Sequence, residues 1–293
     1  MTLNATAARR LLAAGLDPDD TERVIRAALD EDGPDVTSAA IVGPGAWAMA
    51  AVVAREPGVL AGLPVAHAVL DAAGAGAAAG SEPPGADGDR IEAGAEVLRV
   101  RAPLRELLGA ERTLLNFLTH LSGIATATRA WADALSGTGC AVRDTRKTTP
   151  GLRQLEKYAV RCGGGLNYRM GLGDAALIKD NHVAAAGGIA AAIAAVREAA
   201  AGLPLEVECD HLTQVREALD AGARFLLLDN MGLADLRAAA AMARRYPPAR
   251  LEASGGLRLE TARAVAETGV DYVAVGALTH SSPALDLGLD LVA

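Results

Sequence analysis

Between residues 141 and 277 the chain alternates two hydrophobic patterns. Short apolar runs occur at AVRDTRK (141–147), AALIKDN (175–181), LEVECD (205–210), RFLLLDN (224–230), RLEASGG (250–256) and DYVAVGA (271–277). Helical patterns separate most of them. HLTQVREALDAGA and RLETARAVAETGV each end in a glycine suited to capping a helix, and GLADLRAAAAMARRYPP ends in a double proline that stops one. Repeated strand–helix units of this kind predict a parallel sheet. Each run also finishes in polar or small residues: DTRK, KDN, ECD, LDN, SGG, VGA. Parallel strands bring such ends to one face, and in a β/α barrel that face carries the chemistry. Six strands are fewer than the usual eight, so the expectation is an α/β fold with an incomplete barrel. A doubly wound open sheet is the alternative.

The first part of the chain reads differently. TERVIRAALDEDGPDVTS predicts a helix and an acidic turn; AWAMAAVVAREPGVLAG and AEVLRVRAPLRELL predict strands; residues 73–90, rich in Gly and Pro, predict a loop. These define a small N-terminal α+β domain over 1–112. The helical stretch 111–137 leads into a barrel domain over 113–282, and 283–293 is a candidate return to the small domain.

At 293 residues the chain is long enough for one large domain and a smaller one. A net charge of −8 argues against a nucleic-acid-binding surface, which needs a basic face. Cys140, Cys162 and Cys209 form no CxxC pair, and their odd number argues against a disulfide framework, so a reducing cytoplasm is expected. No signal peptide and no charge-free span of about 20 apolar residues is evident, so no membrane partner is expected. The nearest candidate, 184–202, is interrupted by glycines and carries Arg197 and Glu198.

The polar strand ends hold the candidate chemistry. DTRKT supplies Asp144, Thr145, Arg146 and Lys147; LNYRMGLGD supplies Tyr168 and Arg169; LIKDNH supplies Lys179 and, as a candidate support, His182. With Arg112 upstream, these cations would crowd one barrel mouth. Like charges gather where an anion is bound, Arg pairing bidentately with carboxylate or phosphate and Lys acting as a point charge. Glu208, Asp210 and Asp229 end other strands. Acids facing a polyanion imply a cation between them, and Mg²⁺ takes a few carboxylates together with phosphate oxygens. Ser254, Gly255 and Gly256, then Val275, Gly276 and Ala277, follow the last two strands, where barrels frequently bind phosphate. No zinc-type His/Cys spacing, GxSxG or GxxxxGK[ST] pattern occurs.

Taken together, ERTLLNFLTHLSGIAT, DTRKTTPGLRQLEKYAV, GGGLNYRMGLGDAALIKDNH, LEVECD, FLLLDNM, LEASGG and DYVAVGALTHS resemble the quinolinate phosphoribosyltransferase family, in order and over nearly the whole chain. The pairing of DTRKT with GLGDAxLIKDNH is the most specific part. The resemblance implies an open-faced sandwich domain plus a barrel of six or seven strands. It also implies a homodimer with active sites near the subunit interface. The implied activity is a pentosyl transfer in NAD biosynthesis, from phosphoribosyl pyrophosphate to quinolinate, giving nicotinate mononucleotide, pyrophosphate and carbon dioxide. By the family pattern Arg112 serves a neighbouring subunit's pocket, and Arg146, Arg169 and Lys179 hold the substrate carboxylates. Lys147 lies near phosphoribosyl pyrophosphate, and Glu208 and Asp229 serve the ribose and magnesium. Ser254, Gly256 and Gly276 form the phosphate cradle, with His280 close by. Tyr168 departs from the pattern, because many members carry His there; a phenol can hydrogen-bond a carboxylate but brings no positive charge near pH 7. His67, His120 and His211 read as structural or capping residues. A related barrel enzyme acting on another base, and a non-catalytic metabolite-binding homologue, are the competing readings.

Overall fold

The computed structural model describes residues 3–76 and 84–292, so part of the loop expected over 73–90 lies outside the described residues. The chain forms two compact units.

The first unit comprises Met1–Arg129, Thr148–Gly164 and Leu278–Ala293. Its opening helices, Ala5–Ala13 and Pro18–Asp32, start at Asn4 and Asp17, whose side chains accept hydrogen bonds from the first free backbone N–H groups. Strand β1 (Trp47–Ala54) is followed by the short strands β2 (Gly58–Val59) and β3 (Arg90–Ile91), then by β4 (Glu96–Pro103). Along β4, Leu98, Val100 and Ala102 are buried while Arg99 and Arg101 face solvent, the period of a sheet with one covered face. The helix Leu104–Leu135 carries one continuous apolar stripe through Leu107, Leu114, Leu118 and Leu121. Gly123 lets the C-terminal segment pass close, since a Cβ there would lie 2.1 Å from the Pro283 carbonyl oxygen. His67 is buried, and burial pushes its pKa down to about 4. His120 Nε2 lies 3.0 Å from Glu156 Oε1.

The second unit comprises Ala130–Lys147 and Gly165–Ala277. Its parallel strands are β5 (Ala141–Arg143), β6 (Ala176–Ile178), β7 (Leu205–Cys209), β8 (Phe225–Asp229), β9 (Arg250–Ser254) and β10 (Tyr272–Ala274). The final strand of the chain, β11 (Leu287–Val292), belongs to the first unit, where the antiparallel order is β11-β1-β4. The six-strand order is β5-β10-β9-β8-β7-β6. Successive strands add in one direction and the first pairs with the last, which is barrel winding. A doubly wound sheet would reverse at an interior strand. Among the described residues β5 and β6 do not pair, so the circle stays open there; Leu166 bridges to β5, its N–H donating to the Val142 carbonyl (2.9 Å) and its carbonyl accepting from the Asp144 N–H (3.1 Å). The fold is therefore an incomplete barrel with a separate small N-terminal domain.

The boundaries differ from the expected 112/113 division. The apolar stripe of Leu104–Leu135 has no stop signal at residue 112, and the helix runs through it. The helix Arg153–Cys162 joins the first unit, where the Tyr158 hydroxyl donates to Asp87 (2.5 Å). The run 184–202 is divided: one helix ends at Ala186 and the next begins at Ile189, with Gly187 and Gly188 at positive φ between them. Among the described residues no single helix is long and apolar enough to cross a membrane. All three cysteines are free, and burial raises each thiol to about 12.

Candidate active site

Strand pleating decides which polar residues share the barrel interior. On β7, Val207 and Cys209 are fully covered on the helix side, so Glu206 and Glu208 alternate to the other face. The same period of two places Glu252 and Ser254 together on β9, and Leu227 and Asp229 on β8. Each strand thus carries one residue deep in the barrel and a second at its carboxyl end.

At the carboxyl ends, Ile178 pairs with Val207, which sets Lys179 beside Glu208; Lys179 Nζ lies 3.1 Å from Glu208 Oε2. Lys179 also opens the helix Asp180–Ala186, and its backbone N–H donates to His182 Nδ1 at 3.0 Å. Arg146, Arg169, Lys179 and His182 line one cavity of about 690 Å³, closed on its apolar side by Leu172 and Ile178. That volume is within the range of small-molecule sites. Arg169 Nη1 donates to the Ala175 carbonyl (2.6 Å), and Asp174 fixes the following turn by accepting from Met170 N–H and Gly171 N–H, each at 2.8 Å. Among the described residues neither Arg146 nor Arg169 forms an ion pair, and the buried Nε of each has no hydrogen-bond partner. Their charge remains available to an anion.

Farther along the mouth, Asp229 Oδ2 accepts from Asn230 Nδ2 (2.6 Å), and Asn230 N–H donates to the Ser254 carbonyl (2.9 Å). Asn230 is the non-glycine residue with positive φ, 55°, among the described residues. Gly255 answers it: its φ is +88°, and a Cβ there would meet Asn230 Oδ1 at 2.2 Å. Val275 N–H donates to the Arg143 carbonyl (3.0 Å), which joins the VGA turn to β5. Gly276 and Ala277 follow directly. Thr145 Oγ1 accepts from Lys147 N–H at 3.0 Å, and the Lys147 side chain is exposed.

Below the mouth lies a layer that the strand-end motifs did not reveal. Arg143 pairs with Glu252, and its guanidinium lies over the rings of Tyr168 (4.6 Å), Tyr272 (4.8 Å) and Phe225 (5.0 Å). Glu206 and Glu252 are each only 1% exposed. Burial, followed by the charge of Glu206, raises Glu252 to about 8 against the pull of Arg143. Burial also raises Glu206, opposed by the Tyr168 hydroxyl, Arg143 and Arg169. The two carboxyls titrate as a pair that keeps a proton above the ordinary carboxylate range. The available signal was positional: Glu206 and Glu252 each stand two residues before a polar residue at the carboxyl end of their strand, Glu208 and Ser254.

Tyr168 is not on the wall shared by Arg146 and Lys179. It lines an adjoining cavity of about 450 Å³ with Arg143, Asn167, Glu206 and Phe225, and Arg169 borders both spaces. Arg112 and His280 belong to the first unit and are exposed; His280 Nδ1 lies 2.7 Å from Ser281 Oγ. Asp210 is exposed, its N–H bound by Gln214 Oε1 (2.7 Å), and His211 caps the helix Leu212–Asp220. Among the described residues no group of three or more His, Cys, Asp or Glu converges as a metal site.

An incomplete parallel barrel with a cationic cavity at its strand ends, in a chain that also carries a separate antiparallel domain, defines an α/β protein built to take an anionic small molecule. The models for the quinolinate phosphoribosyl transferase N-terminal and C-terminal domains match residues 35–122 and 124–290. The chain belongs to the quinolinate phosphoribosyl transferase family. It is 51% identical over 281 residues to nicotinate-nucleotide pyrophosphorylase [carboxylating] of Mycobacterium leprae, covering 93% of this chain and 98% of that one. The human protein of the same name is 38% identical over 286 residues, covering 96% and 95%. NadC from Streptococcus pyogenes superposes with a TM-score of 0.88 at 40% identity, covering 95% and 99%.

Proposed function

We propose that this chain transfers the phosphoribosyl group of phosphoribosyl pyrophosphate to quinolinate and decarboxylates the product. Nicotinate mononucleotide, pyrophosphate and carbon dioxide result, which places the reaction in NAD biosynthesis. The observation that carries this reading is the single cavity in which Arg146, Arg169 and Lys179 meet. Three cations around one small space suit a ligand with two adjacent carboxylates better than a monocarboxylate. Relatives carrying the carboxylating pyrophosphorylase name span nearly the full chain and support the same reaction.

Arg146, Arg169 and Lys179 bind the dicarboxylate and set the pyridine nitrogen toward the anomeric carbon, converting encounter into alignment. The nitrogen forms a bond to that carbon as the carbon–oxygen bond to pyrophosphate breaks, and the leaving group departs with the electron pair. Lys147, on the exposed loop after β5, is suited to neutralise the leaving charge. The bond to the adjacent carboxylate then breaks as carbon dioxide leaves; its electron pair stays on the ring carbon, stabilised by the neighbouring cationic nitrogen, and that carbon takes up a proton from water. Ser254, Gly255, Gly256, Val275, Gly276 and Ala277 supply the small-residue turns for the 5′-phosphate. Glu208 and Asp229 stand at the ends of neighbouring strands, and two carboxylates fit a Mg²⁺ ion that completes its shell with substrate oxygens rather than a closed protein site. When bound, the ion would neutralise pyrophosphate charge. The working form in this reading is a cytoplasmic homodimer, with Arg112 serving the partner's dicarboxylate pocket.

The test mixes the purified chain with quinolinate, phosphoribosyl pyrophosphate and Mg²⁺, with nicotinate in a parallel reaction. Carbon dioxide released stoichiometrically with nicotinate mononucleotide supports the reading. Turnover of nicotinate alone selects a related enzyme, and binding without turnover selects a metabolite-binding role.

A further inference from the structure

Tyr168 stands one residue before Arg169, yet it faces the adjoining, deeper space. Its backbone N–H donates to Asp144 Oδ1 (2.8 Å), and the Asn167 side chain occupies Asp144 Oδ2 (2.6 Å). Asp144 is only 1% exposed, so this anchor is rigid. The phenol edge faces the buried Glu206 carboxyl, whose charge, after burial, raises the tyrosine above its ordinary range. Held in this way, the ring meets two guanidiniums: Arg143 Cζ lies 4.6 Å from its centroid and Arg169 Cζ lies 5.6 Å away. Arg169 has one further restraint among the described residues, the 2.6 Å bond from Nη1 to the Ala175 carbonyl. A single hydrogen bond leaves a guanidinium free to swing about it, and a flat ring removes that freedom.

We infer that Tyr168 is a positioning residue: an uncharged aromatic plate, braced on Asp144, that holds Arg169 at the wall of the Arg146–Lys179 cavity. This inference rests on the reading of that cavity as the dicarboxylate site. The charged groups around the plate are Arg143, Arg169, Asp144, Glu206 and Glu252, and the plate adds no titrating cation to them. Specificity for a second carboxylate then depends on the fixed direction of Arg169 rather than on one more charge. The side chain at 168 acts on the ligand only through its neighbour.

The experiment compares the full-length wild type with Tyr168→Phe, which keeps the ring, and with Tyr168→Met and Tyr168→Leu, which fill space without one. Quinolinate affinity is measured by calorimetry without phosphoribosyl pyrophosphate, and KM for each substrate by steady-state turnover. The expected result for Met and Leu is about a tenfold weaker quinolinate interaction, in line with a cation–π contact. KM for phosphoribosyl pyrophosphate stays within twofold, and the preference for quinolinate over nicotinate falls by the same tenfold. Phe is expected to retain quinolinate affinity within threefold, even though loss of the hydroxyl lowers its melting temperature. Two non-aromatic variants are included so that misfolding of one leaves the comparison intact. Equal loss in Phe and Met, or parallel loss for both substrates, overturns the plate. Failure of the wild type itself to bind quinolinate overturns the cavity reading instead, a separate and recognisable result.

Discussion

The mouth of the barrel and the layer beneath it are built from the same strands, one strand period apart, and they handle charge in opposite ways. In the inner layer, Arg143 is enclosed by Glu252 and three rings, and the acid pair raises its own pKa values to limit buried charge. At the mouth, Lys179 shares Glu208, while Arg146 and Arg169 have no ion-pair partner among the described residues. The inner layer answers to desolvation, which penalises unpaired charge. The mouth is open to solvent and ligand, so it can hold cations whose counter-charge arrives with the substrate. Identical residue types at neighbouring positions are therefore neutralised within the fold in one place and left open to a ligand in the other.

The sharpest break in this comparison is Lys179→Ala. It is expected to lower kcat/KM for quinolinate by about a thousandfold or more, the scale of losing a close charge pair and its alignment, with little change in melting temperature. Steady-state assays check it, and a rate near wild type would dissolve the distinction. Glu252→Gln should act the other way. It removes the carboxyl that the buried Arg143 guanidinium contacts, at a cost of about 1–3 kcal/mol, read by denaturant unfolding. Glu206→Gln sharpens the contrast with the smallest effect, about 1 kcal/mol or less at neutral pH, because an amide replaces an acid in a pair that already holds a proton. Its signature is pH dependence. The raised carboxyls of the folded state bind protons more tightly than the unfolded chain does. Their contribution is therefore fully present below about pH 4.5 and is lost as pH climbs toward about 8, the raised value for Glu252. Stability of the wild type should decline across that window, and Glu206→Gln should flatten the decline. An equally steep curve in the variant would place the proton elsewhere.

Much of the second unit was legible from local pattern. Strand runs ending in DTRK, KDN, ECD, LDN, SGG and VGA announced both the parallel sheet and its polar face, although β5 stops at Arg143 and the helix after β6 begins at Asp180, so the charged tails are loop and helix start rather than strand. Arg143, Glu206 and Glu252 escaped notice because a lone charge inside an apolar run has no visible partner in one dimension. Tyr168 was grouped with its neighbour Arg169, but its side chain lines the adjoining cavity, a placement that sequence adjacency does not reveal. The expected division at residue 112 falls inside the helix Leu104–Leu135, whose apolar stripe has no break there.

By itself, the order of residues determined most of the elements, the parallel sheet of repeated strand–helix units, and the family to which the chain is similar, because periodicity and short-range stops are local properties. Only the tertiary structure decided that Arg146, Arg169 and Lys179 meet in one cavity while Arg143 is neutralised beneath it. Pairing and desolvation depend on distances between residues far apart in the chain, and those distances exist only once the strands have closed around a common interior.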